Sequence, residues 1–146
     1  MSIKYVHGNI FESKMDILMC PVNIVGVMGK GLALDFKKQY PDVYEQYKIL
    51  CEKKILRIGV PALIKSKTKY IMLFPTKEHW RNPSRLSYID EGLKFIINSE
   101  LYQFSTFSIA IPRLGCGLGG LRWEDVKNLL EFYLPKSKFT EIEIYE

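Results

Sequence analysis

Three stretches of this chain are apolar at consecutive positions: DILMCPVN at 16–23, KYIMLFP at 69–75 and FSIAIPRLG at 107–115. A strand with one face in water alternates apolar and polar residues. A strand apolar on both faces belongs inside a sheet that is covered on both sides. The chain also supplies the cover. From Leu32, the spacing of Leu32, Leu34, Phe36 and Tyr40 predicts a helix ending near Pro41. PDVYEQYKILCEKK (41–54) begins another, with proline near its first turn and lysines near its last. RLSYIDEGLKFIINSEL (85–101) has Ser84 as its predicted N-cap and an apolar stripe of Leu86, Ile89, Leu93 and Ile96 or Ile97. WEDVKNLLEFYL (123–134) is a helix with acids in its first turn.

Shorter strands complete the pattern. IKYVH (3–7) opens it, and GVPALIK (59–65) pairs with 69–75 across a lysine-rich turn. EIEIY (141–145) closes it, and the strand at 69–75 is predicted to stop at Pro75. Strands alternating with helices give an α/β sandwich with a mostly parallel or mixed sheet. No linker or repeat divides the 146 residues, so a single domain over 1–146 is expected.

Composition excludes several classes. The opening MSIKYVHGNIF has no basic segment followed by an apolar stretch and a small-residue cleavage site. No apolar run approaches the ~18 residues of a membrane span, so a cytoplasmic protein without a membrane partner is expected. Cys20, Cys51 and Cys116, with His7 and His79, make no metal-ligand spacing, and Cys20 and Cys116 fit small packed thiols. The net charge of +5, from 21 Lys and Arg against 16 Asp and Glu, suits a polyanionic partner without requiring one.

Open α/β sheets bind ligands beyond the carboxyl ends of their strands, and three loops with unusual composition leave such ends. PRLGCGLGGL (112–121) carries Gly115, Gly117, Gly119 and Gly120 ahead of a helix, a pattern that can cradle a diphosphate on backbone amides. Its formal G-x-G-x-x-G match is not a Rossmann site, because only one further strand follows. NIVGVMGKGLA (23–33) repeats the logic with Gly26, Gly29 and Gly31. Lys30 does not make it a P-loop, since Gly31 stands where Ser or Thr is needed. Asn23 suits either a ribose hydroxyl or a turn. The third loop, TKEHWR at 76–81, sets a lysine, an imidazole, an indole and a guanidinium just past a strand. On composition alone, a lysine there is ordinarily a solvated side chain.

The ordered set GNIFESKMDILMCPVNIVGVMGKGLALDFKKQYP, FPTKEHWR and IPRLGCGLGGLRW resembles the macrodomain family over nearly the whole chain. Within it, the chain is similar to the branch of DarG-type DNA ADP-ribosyl glycohydrolase antitoxins and terminal ADP-ribose protein glycohydrolases. The resemblance implies a three-layer α/β/α sandwich with a mixed central sheet and an ADP-ribose cleft across the strand ends. By motif, Asn9 and Ile10 would lie at the adenine, where many macrodomains have Asp at the position of Asn9. Gly29, Lys30 and Gly31 would hold the diphosphate with Gly115, Cys116, Gly117, Leu118 and Gly119, and Asn23 would face the distal ribose. Lys77 matches the lysine that this branch uses in catalysis, as nucleophile or proton carrier.

The protein-directed members carry an acid where this chain has Gly119, so the chain looks more like the DNA-directed ones. His79, Trp80, Arg81 and Arg85 would then form a rim for DNA, the indole stacking on a base and the arginines pairing with phosphates, although Trp80 equally fits a core cap. The expected activity is lysine-dependent removal of ADP-ribose from DNA bases, with single-stranded DNA as partner and an ADP-ribosylating toxin as counterpart. No cofactor or metal enters the scheme, in which ADP-ribose is part of the substrate and the product. A hydrolase of ADP-ribosyl-glutamate or O-acetyl-ADP-ribose, and a non-catalytic ADP-ribose reader, stay open as alternatives.

Overall fold

Consecutive residues of the central strands go to opposite sides of one sheet. In β2 (Ile17–Asn23), Ile17 and Met19 face one layer of helices while Leu18, Cys20 and Val22 face the other. In β4 (Lys69–Lys77), Met72 and Phe74 join the first side and Ile71 and Leu73 the second. The computed structural model describes residues 2–99 and 106–146. The first side is covered by α3 (Leu86–Asn98), through Ile89, Leu93 and Ile96, and by α4 (Trp123–Tyr133), through Val126 and Leu130. The second is covered by Phe36 of α1 (Gly31–Gln39) and by Val43 and Tyr47 of α2 (Pro41–Glu52). This is a three-layer α/β/α sandwich, and the runs apolar on both faces are its middle layer.

The remaining strands are β1 (Ser2–Val6), β3 (Ala62–Ser66), β5 (Ile109–Ile111) and β6 (Glu141–Tyr145). The six-stranded sheet has the order β1-β6-β5-β2-β4-β3. All neighbours run parallel except β3, which is antiparallel to β4 at one edge, so the sheet is mixed. Gly92 sets how closely α3 lies on it: a Cβ there would sit 2.3 Å from Cζ of Phe74, too close for any side chain.

Several boundaries differ from the sequence expectation. Pro75 does not end β4. A proline φ is compatible with an extended strand, and the ladder runs on to Lys77, with its irregularity falling between Val22 and Asn23 of the partner strand. β5 is three residues long, shorter than the strand expected from residue 107 up to the glycine loop. Ser108, just ahead of it, donates its N–H and its hydroxyl to the carboxylate of Asp16, and Pro112, just after it, has no N–H for the ladder. α2 closes at Glu52, so Lys53 and Lys54 follow the helix rather than occupying its last turn. Ser84 does not cap α3. The N-cap is Arg85, with no side-chain capping bond, and Leu86 of the expected stripe is exposed. Residues 100–101, the predicted end of that helix, lie outside the described residues.

Candidate functional site

Five parallel strands bring their carboxyl ends to one edge of the sheet, and the loops leaving that edge enclose a cleft of about 1120 Å³. Along it the wall runs from Gly8–Phe11 after β1, past Tyr145 and Glu146 at the end of β6, to the loop after β5. It continues through Asn23 and the loop after β2 and finishes at Lys77 on β4.

The two candidate catalytic residues are neighbours on the ladder. Asn23 and Lys77 are register partners at the ends of β2 and β4. Lys77 is therefore placed by a strand, not by a loop. Its ammonium lies 3.4 Å from the carbonyl oxygens of both Trp80 and Leu118, between the 78–81 turn and the second glycine loop.

Asn23 folds the first glycine loop around its own carboxamide. Nδ2 donates to the Val27 carbonyl at 2.7 Å, and Oδ1 accepts from the Val25 and Val27 amides at 3.1 and 3.4 Å. The Tyr47 hydroxyl lies 2.8 Å from both the backbone oxygen and Oδ1 of Asn23. Burial pushes the ionisation of Tyr47 well up, which keeps it a donor. One Nδ2 hydrogen is left for a ligand, so the expected ribose contact narrows to a single donor. Past the clamp, Gly31 takes φ +60° and opens α1 with no side chain capping the helix start. Its first amides are left for an anion. Gly29, Lys30 and Gly31 all line the cleft.

The second loop is held by backbone contacts and close packing. Leu121 N donates to Gly115 O at 2.9 Å, and Ser84 N donates to Gly119 O at 3.0 Å. A Cβ on Gly119 would lie 2.3 Å from Ser84 Oγ and 2.4 Å from Gly115 O. Ser84, expected as a cap, is instead packed beneath this loop, and its buried hydroxyl has no partner among the described residues. Gly117 is the opposite case: a Cβ there would meet nothing within 4 Å. Gly115 to Gly119 all line the cleft, and a Cβ on Gly31 would be 3.7 Å from Leu118, so the two loops face one another. Cys116 is half-buried, and burial pushes its thiol up, as expected of a packed side chain.

At the rim, Trp80 is 43% exposed and lines the cleft, so it is no core cap. The Arg81 guanidinium sits 4.5 Å from the centre of its ring, and the His79 ring is 5.1 Å away. His79 and Arg81 flank the indole outside the wall, and Arg85 lies over Tyr88, also outside it.

Asn9 and Ile10 line the other end. Oδ1 of Asn9 accepts from Phe11 N at 2.9 Å and caps a short 3-10 turn. Sequence reasoning missed three residues here. Arg113 stacks over Trp123 at 5.2 Å, Trp123 Nε1 donates to a carboxylate oxygen of Glu146 at 3.4 Å, and all three line the cleft. The signal available was Arg113 directly before the glycines. Glu146 had none, because its place depends on β6 running parallel to its neighbours. Among the described residues no group of three His, Cys, Asp or Glu could hold a metal ion, and no helix is long and apolar enough to cross a membrane.

The Macro domain family pattern matches residues 20–130, covering the end of β2, both glycine loops and β4. The chain belongs to the macrodomain family. This macrodomain is 40% identical over 148 residues to the DNA ADP-ribosyl glycohydrolase of Thermus aquaticus, across 99% of this chain and 41% of that protein. It superposes on the macrodomain of Thermus aquaticus DarG with a TM-score of 0.90, covering 99% of this chain and 97% of the other. It is 39% identical to a DNA ADP-ribosyl transferase–DNA ADP-ribosyl glycohydrolase fusion protein of Thermosipho africanus, across 99% of this chain and 42% of that one. The solved structure of Thermosipho africanus DarTG in complex with ADP-ribose matches with a TM-score of 0.91 at 40% identity, over 99% of this chain and 41% of the other. This macrodomain thus spans about two fifths of the length of both curated relatives.

Proposed function

We propose that the cleft binds ADP-ribose and that the chain hydrolyses the bond between ADP-ribose and a DNA base. The observation that carries this reading is the register pair Asn23 and Lys77, set beside two glycine loops that face each other. A linear ligand laid along the edge would place its diphosphate between the loops and its distal ribose at β2 and β4. There the glycosidic bond to the base breaks. Lys77 Nζ either adds to the anomeric carbon, with water later releasing ADP-ribose, or passes a proton to the leaving base while water attacks. Asn23 holds the first loop in shape and offers one N–H to the ribose.

Two observations favour DNA over protein as the carrier of the ADP-ribose. Position 119, where the protein-directed branch has an acid, is closed to any side chain by the Gly115 carbonyl and Ser84. At the rim, the exposed indole of Trp80 with its cationic neighbours suits an unpaired base and its phosphates, which supports a single-stranded substrate. The Thermosipho africanus relative joins a transferase and a glycohydrolase in one chain, which supports an ADP-ribosylating toxin as counterpart.

The test offers ADP-ribosylated single-stranded DNA and ADP-ribosylated protein side by side to the wild type, Lys77→Ala and Lys77→Arg. Release from DNA by the wild type is expected, with both variants inactive but binding ADP-ribose within a few-fold. A group that acts only in the transition state lowers turnover without weakening the ground-state complex. Guanidinium stays protonated and does not replace the amine. Release from protein alone would favour a hydrolase of ADP-ribosyl-glutamate. Binding without release from either would leave a reader.

A further inference from the structure

The strand order dictates which end of the cleft takes which part of a linear ligand. With distal ribose at β4 and β2 and diphosphate between the loops after β2 and β5, the nucleoside falls at β6 and β1. Three strand spacings separate β6 from β4, about 14 Å at roughly 4.8 Å each, room for a nucleoside, a diphosphate and a second ribose in line. The wall at the nucleoside end carries Phe11, Trp123 and Tyr145, which suits a flat base.

A base needs a polar reader as well as a flat slot. Asn9, at the position where many macrodomains carry Asp, has its Oδ1 engaged in capping Phe11 N. The carboxylate at this end comes from the neighbouring strand. β1 and β6 pair in parallel with Val6 opposite Tyr145, so the next residue, Glu146, emerges beside the start of the 7–11 segment. Its backbone is fixed there, with N donating to Val6 O at 2.9 Å and O lying 3.3 Å from His7 Nδ1. Its Oε1 is held by Trp123 Nε1 and Lys127 Nζ, each at 3.4 Å. Among the described residues no donor is assigned to Oε2. The hydrogen bond from Trp123, helped by the charge of Lys127, holds the carboxyl below its usual range, so it is ionised at neutral pH.

We propose that the Glu146 carboxylate, rather than Asn9, accepts the hydrogen bond from the exocyclic amine of the adenine and so sets the preference for an adenine ligand. This rests on the reading of the cleft as an ADP-ribose site. The acidic acceptor has in effect moved one strand over, from the end of β1 to the end of β6. The Trp123 indole and Lys127 aim it, and Glu146 acts on affinity and base choice, not on the bond-breaking step.

The test measures binding by the full chain of ADP-ribose and of inosine diphosphate ribose, in which a carbonyl oxygen replaces the exocyclic amine. The wild type is expected to prefer ADP-ribose by about tenfold or more, the scale of one hydrogen bond to a charged group. Glu146→Ala should lose ADP-ribose affinity by about that factor and barely change for the inosine ligand, so that the preference collapses. Glu146→Gln, which keeps a neutral acceptor, should retain part of it. With Glu146→Ala, KM for modified DNA should rise while kcat holds. An equal loss for both ligands would make Glu146 a mere anchor for Trp123 and overturn the proposal. So would a preference that survives Glu146→Ala but collapses in Asn9→Ala. A wild type that binds neither ligand would instead overturn the functional reading, and this inference with it.

Discussion

The two glycine loops, which face one another across the cleft, are held in shape by different means. The first is tied by one side chain: the Asn23 carboxamide reaches Val25 and Val27 and is itself braced by Tyr47. The second is tied by contacts that no side chain chooses, Leu121 N to Gly115 O and Ser84 N to Gly119 O, and it closes only because position 119 has no Cβ. A loop of the first kind depends on one asparagine, with Gly26 and Gly31 at positive φ. A loop of the second kind is indifferent to its side chains and depends on a missing atom.

This contrast can be broken in order of effect on stability. Gly119→Ala should do most damage. The added methyl meets a backbone carbonyl that cannot rotate away, so a loss of about 3 kcal/mol is expected, at the upper end for overpacking, along with ADP-ribose binding. Chemical denaturation and calorimetry would measure the two, and a variant that binds normally would mean the loop is not closed as described. Asn23→Ala should cost about 2 kcal/mol, since it removes the clamp and strands the Val27 backbone groups, while the Tyr47 hydroxyl keeps the Asn23 carbonyl. Tyr47→Phe takes only the brace and should cost about 1 kcal/mol, with binding kept. A Tyr47→Phe variant as unstable as Asn23→Ala would move the centre of the clamp to Tyr47. Gly117→Glu should hardly change the melting temperature, within about 0.5 kcal/mol for a position where an added Cβ meets nothing within 4 Å, yet abolish binding by filling the proposed diphosphate space. Unaltered affinity in that variant would show that the diphosphate lies elsewhere.

What was legible in the sequence was what local pattern controls. Consecutive apolar residues such as Ile17, Leu18, Met19 and Cys20 announced a strand buried on both faces, and Pro41 announced a helix start. The glycines of both loops and Lys77 were legible as a set through their order along the chain. What was not legible depends on which strands meet. Pro75 looks like a stop, and only its pairing with Val22 shows that the strand carries on to deliver Lys77. Ser84 has the right chemistry for an N-cap and the right distance from the helix, yet tertiary packing claims it for the underside of a loop 30 or more residues downstream. Asn23 read as a ligand contact, and most of its hydrogen-bonding capacity goes to its own loop. Glu146 gave no sign, because a carboxylate at the end of β6 matters only once β6 is known to lie beside β1.

The register of Asn23 with Lys77 has a consequence for how such a molecule fails on heating. β2 and β4 are the fourth and fifth strands of six, and the ladder between them lies under helices on both faces. Backbone amides in such a position exchange with solvent only when the whole domain opens, whereas loops exchange through small local fluctuations. The candidate pair Asn23 and Lys77 is thus mounted on a ladder expected to be among the last parts of the chain to come apart. Loss of activity with temperature should follow the global melting curve rather than precede it, and deuterium uptake at the amides of the β2–β4 ladder should be among the slowest in the molecule.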